Sequence, residues 1–229
     1  MQKEVIILAG GLGTRLRSAV ADVPKCMAPV KGRPFIAYLI EYFQNQGVNR
    51  FIFALGYKSE YFEKFLSGVL APEVYLLSIE KEPLGTGGAI RLACQAATES
   101  QVLVANGDTL FKIDLNGLSA FHTQHQAACT LSLKPMSRFD RYGIVELTST
   151  QSISSFREKQ YYEQGLINGG VYALQVEHFL RLELPDKFSF EKEYLEKYYA
   201  SYPMYGWIQD RYFIDIGIPA DYERAQLEL

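Results

Sequence analysis

The segment at residues 8–17 contains the residue types that bind phosphate. It consists of Leu8-Ala9-Gly10-Gly11-Leu12-Gly13-Thr14-Arg15-Leu16-Arg17. Because glycine has no side chain, its backbone N–H group can approach an anion closely, and the planar guanidinium of Arg15 matches phosphate oxygens. The segment therefore predicts a phosphate-binding loop, with an ordinary glycine turn as the alternative. The residues expected to contact a nucleotide are Leu8, Ala9, Gly10, Gly11, Gly13 and Thr14.

Two other phosphate-binding loops do not match this segment. A P-loop ends in Gly-Lys-Ser or Gly-Lys-Thr, whereas this loop ends in Gly13-Thr14-Arg15. The dinucleotide fingerprint requires a third glycine where the chain has Leu16, and an acidic residue where the second strand ends in Leu55-Gly56. Both loop types are therefore excluded.

Two aspartates follow apolar runs and could share a metal ion. Asp108 comes shortly after residues 102–105, and Asp215 follows a second apolar run. Ligands of open α/β sheets bind at the carboxyl ends of the strands. Two carboxylates can hold one Mg²⁺, which prefers oxygen ligands and shares them with substrate phosphates. The alternatives are an Asx turn at Asn106-Gly107-Asp108 and a solvated loop at Asp215.

The rest of the chain predicts the α/β framework that positions these groups. Short apolar runs alternate with segments of helical period, which is typical of βαβ units around a mostly parallel sheet. Expected strands are residues 5–9, 51–55, 74–79, 102–105, 128–133, 143–147, 153–157 and 170–174, with a strand pair at 205–208 and 212–216. Expected helices are residues 34–46, 59–66, 88–97, 114–126, 176–182 and 190–200, and one that begins at Pro219. The length suits one α/β domain with an inserted substrate-binding portion.

Composition limits the class of protein further. The 229 residues are 48% hydrophobic, enough for a folded core, and the net charge of −3 disfavours a general nucleic-acid binder. Apolar runs are far shorter than the ~20 residues of a membrane-spanning helix, so no membrane association is expected. Three cysteines without a CxxC pair indicate reduced thiols and a cytoplasmic protein. Residues 1–33 carry six basic and two acidic side chains, a net charge of +4, which leaves −7 for the remainder.

Seven motifs follow one another in an order that is typical of one family. After the glycine loop they are Pro24-Lys25-Cys26-Met27, Leu84-Gly85-Thr86-Gly87-Gly88, Asn106-Gly107-Asp108, Glu158-Lys159, Asn168-Gly169-Gly170 and Asp215-Ile216-Gly217-Ile218-Pro219. In this order they resemble the sugar-1-phosphate nucleotidyltransferases, also called nucleotide-sugar pyrophosphorylases, over essentially the whole chain. The resemblance implies a Rossmann-like three-layer α/β fold with a mixed, mostly parallel central sheet and an inserted sugar-binding portion. It also implies one catalytic domain over residues 1–229, in which 1–113 mainly bind nucleotide and 114–229 mainly bind sugar phosphate and complete the sheet.

The reaction of this family assigns roles to individual residues. A sugar 1-phosphate oxygen attacks the α-phosphorus of a nucleoside triphosphate and expels pyrophosphate, which requires charge neutralisation and in-line positioning. The resemblance places Arg15 at the β- and γ-phosphates and Lys25 near the α-phosphate. It makes Asp108 catalytic and a Mg²⁺ ligand together with Asp215. Cys26 stands where the family usually has proline, a departure expected to loosen the loop that carries Lys25.

The resemblance also indicates which residues recognise the base. Family members that bind thymidine or uridine nucleotides have a glutamine at about the position of Glu80. A carboxylate accepts hydrogen bonds from both N1 and N2 of guanine, so Glu80 is predicted to read guanine, with Glu82 as the second candidate. A solvated strand end is the alternative for both. Gly85, Thr86 and Asn106 complete the expected nucleotide contacts.

For the sugar phosphate, the resemblance makes Lys159 the anion-binding lysine and Glu158 the partner of sugar hydroxyls. The remaining residues expected in the sugar pocket are Tyr142, Gly143, Asn168 and Gly169. Glycine allows close backbone approach, and Asn168 supplies both a donor and an acceptor. Ordinary turns explain the glycines almost as well.

Within the family the chain is most similar to the D-glycero-α-D-manno-heptose 1-phosphate guanylyltransferases, through residues 82–90 and 213–219. This implies Mg²⁺-dependent guanylyl transfer from GTP to that sugar phosphate for a surface polysaccharide, with small-molecule partners only and a homodimer left open. A mannose 1-phosphate guanylyltransferase and a uridylyl- or thymidylyltransferase are the enzymatic alternatives. A regulatory subunit that binds nucleotide sugars without turnover is disfavoured, because Arg15, Lys25, Asp108 and Asp215 are all present.

Two further side-chain clusters are assigned no chemistry. His122 and His125 lie three residues apart on a predicted helix without a nearby third ligand, so we expect surface residues and no zinc site. Tyr194, Tyr198 and Tyr202 recur every four residues, which predicts an apolar contact stripe or a subunit interface.

Overall fold

The structure is a computed structural model that describes residues 3–11, 23–56 and 58–229. Its strands are β1 (Glu4–Leu8), β2 (Pro29–Val30), β3 (Arg33–Pro34), β4 (Arg50–Leu55), β5 (Tyr75–Ile79), β6 (Gln101–Asn106), β7 (Thr109–Phe111), β8 (Cys129–Phe139), β9 (Ile144–Leu147), β10 (Ile153–Arg157), β11 (Tyr162–Gln175), β12 (Met204–Ile208) and β13 (Phe213–Asp215). Its α-helices are α1 (Phe35–Asn45), α2 (Ser59–Val69), α3 (Gly85–Cys94), α4 (Leu115–Gln124), α5 (Val176–Leu180), α6 (Glu196–Tyr198) and α7 (Pro219–Glu228). Short 3₁₀ helices occupy Lys25–Met27 and Pro72–Val74, and a π-helical segment, Phe190–Leu195, runs into α6.

The central sheet is mixed. Its strands follow the order β10-β9-β11-β6-β1-β4-β5, with β8 paired to β11 and β12 paired to β8. Strands β6, β1, β4 and β5 are parallel to one another, whereas β11 is antiparallel to β6, β8 and β9. The four parallel strands therefore end at the same edge of the sheet.

Apolar side chains form a core on each face of this sheet. Along β1, Val5 and Ile7 belong to one cluster, to which α1, α2 and α4 contribute, whereas Ile6 belongs to a second cluster with α3 and α5. The alternation follows from the two-residue side-chain period of a strand. With helices on both faces, the expected three-layer α/β fold with a mixed, mostly parallel sheet is confirmed.

A buried carboxylate stabilises the edge of the sheet opposite those strand ends. Glu4 is fully buried and accepts hydrogen bonds from the backbone N–H groups of Thr98, at 2.8 Å, and Glu99, at 2.7 Å. The Arg50 guanidinium pairs with the same carboxylate. Because a buried charge is tolerated only when it is paired and hydrogen-bonded, this arrangement connects β1, β4 and the segment before β6.

Several elements differ from the sequence prediction. Helix α3 begins at Gly85 rather than at residue 88, and β8 and β11 extend beyond the expected runs because they pair with each other as far as Phe139 and Tyr162. Strands β12 and β13 do not pair with each other. Instead β12 pairs with β8, and β13 pairs with β7, a short strand that the sequence did not predict.

The prediction that His122 lies at the surface is wrong. Its side chain is buried in the structure, and Nδ1 lies 2.9 Å from the Thr130 hydroxyl. Burial lowers the pKa of His122 to about 4, so this imidazole is neutral in the folded protein. His125 is half-buried and stacks on Phe121.

The tyrosines near the end of the chain form a contact stripe, as predicted. Tyr194 is fully buried, and the ring centroids are 6.2 Å apart for Tyr194 and Tyr198 and 5.6 Å apart for Tyr198 and Tyr202. Among the described residues, no helix combines the length and apolar character required to cross a membrane.

Candidate active site

Residues predicted to bind nucleotide lie where the parallel strands end. Strands β1 and β6 end at Leu8 and Asn106, and β4 and β5 end beside them at Leu55 and Ile79. The carboxyl ends of parallel strands are the usual ligand-binding edge of an open α/β sheet. This edge is therefore the candidate active site.

The described part of the glycine loop follows this edge closely. The Ala9 N–H donates to the carbonyl of Ala54 at 2.9 Å. A Cβ atom on Gly10 would lie 3.0 Å from the backbone nitrogen of Gly56, so the two chains approach as closely as glycine allows, whereas Gly11 is exposed to open space. The other predicted residues of the loop, Gly13, Thr14 and Arg15, lie outside the described residues.

Lys25, Asp108 and Asp215 come together from three distant segments. Lys25 begins a 3₁₀ helix, Asp108 lies in the turn between β6 and β7, and Asp215 ends β13. Pairing of β7 with β13 puts Thr109 opposite Asp215 and so brings the two aspartates side by side. Lys25 Nζ donates to Asp108 Oδ2 and lies 3.6 Å from Asp215 Oδ1. Three residues predicted to act in catalysis or metal binding thus form one cluster.

The electrostatics of this cluster follow from burial and from the opposing charges. Burial raises the pKa of Asp215, as does the negative charge of Asp108, although Lys25 opposes both effects. Burial by itself would lower the pKa of Lys25, but the two carboxylates outweigh it and the pKa is raised. Lys25 is therefore a fixed cation between two carboxylates.

The donor set of this cluster suits a hard divalent cation. Asp108 and Asp215 offer oxygen ligands only, and the ammonium group of Lys25 shows that a cation is accommodated between them. In the described ranges no group of three or more His, Cys, Asp or Glu side chains could hold a metal ion. A metal at the two aspartates would therefore take its other ligands from water and substrate phosphates, which is how Mg²⁺ is usually bound.

The segment that carries Lys25 is packed against the turn that carries Asp108. Cys26 is buried, and a Cβ atom on Gly107 would lie 2.9 Å from Cys26 Sγ. The Gly107 N–H donates to the carbonyl of Leu8 at 2.9 Å. Glycine at position 107 thus lets the lysine segment, the aspartate turn and the end of β1 meet.

Glu80 lies between the glycine loop and the motif at residues 84–88. Its Oε2 accepts a hydrogen bond from the Leu84 N–H at 3.0 Å. Its Oε1 would be 2.5 Å from a Cβ atom on Gly56 and 3.4 Å from one on Gly10. Glu80 therefore adjoins the predicted phosphate loop, whereas Glu82, the second candidate for base recognition, is exposed.

The motif at residues 84–88 also packs against residues 188–191, to which the sequence assigned no role in the site. Gly85 has a φ of +72°, and a Cβ atom there would lie 2.5 Å from the carbonyl oxygen of Phe188. The Thr86 hydroxyl donates to Glu191 at 2.9 Å and accepts from the Phe190 N–H at 2.8 Å. Gly85 and Thr86 therefore fix the π-helical segment in place, a contact that the sequence did not predict.

Two predicted sugar residues lie on an exposed strand end. Gly143 packs on β10, where an added Cβ atom would lie 2.4 Å from the carbonyl oxygen of Arg157. Glu158 and Lys159 directly follow Arg157, the last residue of β10, and both are exposed. The Glu158 carboxylate pairs with the Lys192 ammonium group at 2.6 Å. The sequence missed Lys192, which reaches Glu158 from the π-helical segment.

Asn168 and Gly169 have contacts inside the protein. Asn168 Oδ1 accepts from the Gly170 N–H at 3.0 Å, and its Nδ2 donates to the Tyr172 hydroxyl at 2.9 Å. A Cβ atom on Gly169 would lie 2.3 Å from the Phe111 ring. These residues shape the irregular part of β11, where its pairing with β8 shifts.

Tyr142, predicted to line the sugar pocket, contacts the aspartate cluster. Its hydroxyl lies 3.2 Å from Asp215 Oδ2 and 3.2 Å from Arg141 Nη2. Burial and the Asp215 carboxylate raise the pKa of Tyr142, which keeps the phenol protonated as a hydrogen-bond donor. Arg141, which directly precedes Tyr142, was not predicted from the sequence as part of the site.

Comparisons with known proteins find similar proteins over nearly the whole chain. Residues 4–229 match the family model described as nucleotidyl transferase. The chain is 47% identical over 226 residues to a D-glycero-alpha-D-manno-heptose 1-phosphate guanylyltransferase of Aneurinibacillus thermoaerophilus, covering 99% of this chain and 98% of that relative. It is 43% identical over 219 residues to a protein of the same description from Campylobacter jejuni, with 96% of each covered. HddC from Yersinia pseudotuberculosis, solved in complex with GMP-PN, matches with a TM-score of 0.88 and 36% identity over 99% of both chains.

Proposed function

Because the chain belongs to the nucleotidyl transferase family, we propose that it transfers a guanylyl group from GTP to D-glycero-α-D-manno-heptose 1-phosphate. The products are the GDP-activated heptose and pyrophosphate. The observation that carries this proposal is the near full-length similarity to two guanylyltransferases with that substrate in their description. The cluster of Lys25, Asp108 and Asp215 at the ligand-binding edge of the sheet supports it.

The proposed reaction forms one phosphorus–oxygen bond and breaks another. An anionic oxygen of the sugar 1-phosphate attacks the α-phosphorus of GTP in line with the oxygen that bridges to the β-phosphate. The bond to this bridging oxygen breaks, and its electron pair leaves with pyrophosphate. Since the nucleophile is already anionic, the chain has to bring anions together and stabilise charge rather than remove a proton.

Lys25 supplies positive charge near the α-phosphate of GTP, which is part of the transferred guanylyl group. Its position between two partly buried carboxylates keeps it protonated and restricts its movement. Asp108 and Asp215 would hold Mg²⁺, which neutralises phosphate oxygens as a Lewis acid when bound. In this proposal Arg15 stabilises the departing pyrophosphate, as the motif similarity implies.

Glu80 is proposed to select guanine. Its carboxylate adjoins Gly10, at the start of the phosphate loop, so a nucleotide bound there would bring its base within reach of Glu80. A carboxylate only accepts hydrogen bonds, which suits the two donors of guanine and not the two acceptors of uracil. Lys159 and Glu158 are proposed for the sugar phosphate because both are exposed at the end of β10.

We further propose that the nucleotide sugar is made in the cytoplasm and is used to build a surface polysaccharide. All three cysteines are free thiols and buried, which agrees with a reducing compartment. Homodimer formation remains a prediction.

Pyrophosphate release, measured with each of four nucleoside triphosphates against heptose, mannose, glucose and N-acetylmuramic acid 1-phosphates, tests the proposal. We expect the highest kcat/KM for GTP with the heptose phosphate, and little release from the Asp108→Asn variant. A higher kcat/KM with mannose 1-phosphate would show that mannose 1-phosphate, and not the heptose phosphate, is the substrate. A preference for UTP would show that the site selects uracil instead of guanine. No release from any pair would favour a binding subunit without turnover.

A further inference from the structure

Both oxygens of Asp215 have protein partners besides Lys25. Oδ2 accepts a hydrogen bond from the Tyr142 hydroxyl at 3.2 Å, and Oδ1 accepts one from the Gly217 N–H at 2.8 Å. Asp215 is mostly buried, with a side-chain exposure of 22%. Two bonds from different segments therefore hold the carboxylate plane in one orientation.

Tyr142 is itself held in place by Arg141 and Phe213. Arg141 Nη2 donates to the Tyr142 hydroxyl at 3.2 Å, and Arg141 Nη1 pairs with Asp221 in the first turn of α7. Phe213 packs edge-on against the Tyr142 ring, with the centroids 6.2 Å apart. These contacts connect the start of α7 to Asp215 through Arg141 and Tyr142.

The hydrogen-bond directions follow from the chemistry of these groups. Guanidinium only donates and an ionised carboxylate only accepts, so the hydroxyl must accept from Arg141 and donate its single proton to Asp215. The donor capacity of Tyr142 is thereby used within the protein. A sugar hydroxyl acting as acceptor would have to compete with a carboxylate for that proton, and hydrogen bonds to charged groups are the stronger ones.

We propose that Tyr142 is a positioning residue that orients Asp215 for the divalent cation, instead of a contact residue for the sugar. This inference rests on the cation site of the proposed function. Side chains that hydrogen-bond to a metal ligand fix its orientation, and their loss weakens metal binding by about 10–100-fold. The distance of 3.2 Å between the Tyr142 hydroxyl and Asp215 Oδ2 is long for such a hydrogen bond, which favours the smaller effect. We therefore expect Tyr142→Phe to bind the divalent cation about tenfold more weakly.

Mn²⁺ binding to the full-length protein without substrates tests the positioning role, with the EPR signal of free Mn²⁺ as the readout. Tyr142→Phe keeps the ring and its contact with Phe213, and it removes only the hydroxyl. Tyr212→Phe is the matched control, because Tyr212 also donates to a carboxylate, Glu228, at 2.8 Å, and that pair does not touch Asp215. We expect about tenfold weaker binding in Tyr142→Phe and wild-type binding in Tyr212→Phe.

Two further measurements separate failure of this inference from failure of the cation site. If the wild type, Asp108→Asn and Asp215→Asn bind Mn²⁺ equally, the cation site itself is wrong. If Asp215→Asn loses binding but Tyr142→Phe does not, only the positioning role is overturned. Steady-state kinetics should show a higher activating Mg²⁺ concentration for Tyr142→Phe and an unchanged KM for the sugar phosphate. A raised KM with unchanged Mn²⁺ binding would assign Tyr142 to the sugar.

Discussion

Replacing Lys25 with methionine removes the cation that lets Asp108 and Asp215 lie side by side. Methionine keeps much of the length and apolar stem of lysine, so the main change is the loss of one positive charge. The two carboxylates are then left facing each other with no counter-ion from Lys25. We expect the variant to be less stable and to turn over far more slowly than the wild type.

The size of the stability change follows from the contact distances and the exposure. At 3.6 Å and an effective dielectric constant of about 20, opposite unit charges attract by about 4–5 kcal/mol, and desolvation offsets part of this gain. Lys25 is 15% exposed and Asp108 32% exposed, so solvent screens the contact further. We expect a loss of about 2 kcal/mol in the free energy of unfolding, which lowers Tm by about 4–8 °C in a chain of this size.

Thermal unfolding with and without Mg²⁺ measures this effect. Mg²⁺ should raise the Tm of Lys25→Met more than that of the wild type, because in the variant the divalent ion replaces a missing charge. Lys64→Met, on an exposed part of α2, is the control and should change stability by less than about 0.5 kcal/mol. Pyrophosphate release should fall on the order of 10²–10³-fold, as when other transition-state charge stabilisers are removed. Equal Tm values for Lys25→Met and the wild type, with the same response to Mg²⁺, would show that Lys25 does not neutralise the two carboxylates.

Three other variants test base recognition, the buried carboxylate at the edge of the sheet, and the pH dependence of stability. Glu80→Gln should lower the kcat/KM preference for GTP over UTP by about 10–100-fold, because an amide donates where guanine also donates; an unchanged preference would show that Glu80 does not read the base. Glu4→Gln should lower the free energy of unfolding in urea by about 3 kcal/mol, since Arg50 loses its buried partner; a loss below about 0.5 kcal/mol, the size of an ordinary surface substitution, would contradict this. The pKa of His122 is lowered from 6.5 to about 4, so as pH falls through 6.5 only the unfolded chain takes up a proton and stability drops. Between pH 7 and pH 5 this proton uptake lowers the free energy of unfolding by about 2 kcal/mol. The free energy of unfolding of His122→Asn, measured in urea, should therefore fall less over the same pH range.

Local sequence was sufficient for most elements and for the types of residue at the site. The parallel strands were predictable because a strand buried on both faces needs a continuous apolar run, as in residues 51–55. Lys25, Asp108 and Asp215 were singled out by residue type and by the motifs around them, and the structure brings the three together. Helix α1 was equally clear, since Pro34 and Gly47 bracket its apolar stripe.

Contacts between distant segments were not predictable from the sequence. His122 was expected at the surface because the sequence shows no third metal ligand near it, and the packing of α4 against β8 buries it beside Thr130. Strand β7 has three residues, too few for a periodic pattern, and it is stable as a strand only because β13 pairs with it. The same pairing decides that Asp108 lies beside Asp215.

The chemical groups at the site and the local turns that carry them, including the glycines where chains approach closely, can be read from the amino-acid sequence. The contacts of each group became clear from the folded chain: Tyr142 donates to Asp215, Thr86 binds the segment after Phe188, and Glu80 adjoins Gly10. Residue type and short-range spacing act along the chain. Side-chain partners instead depend on strand pairing and helix packing between segments far apart in sequence, which no local pattern specifies.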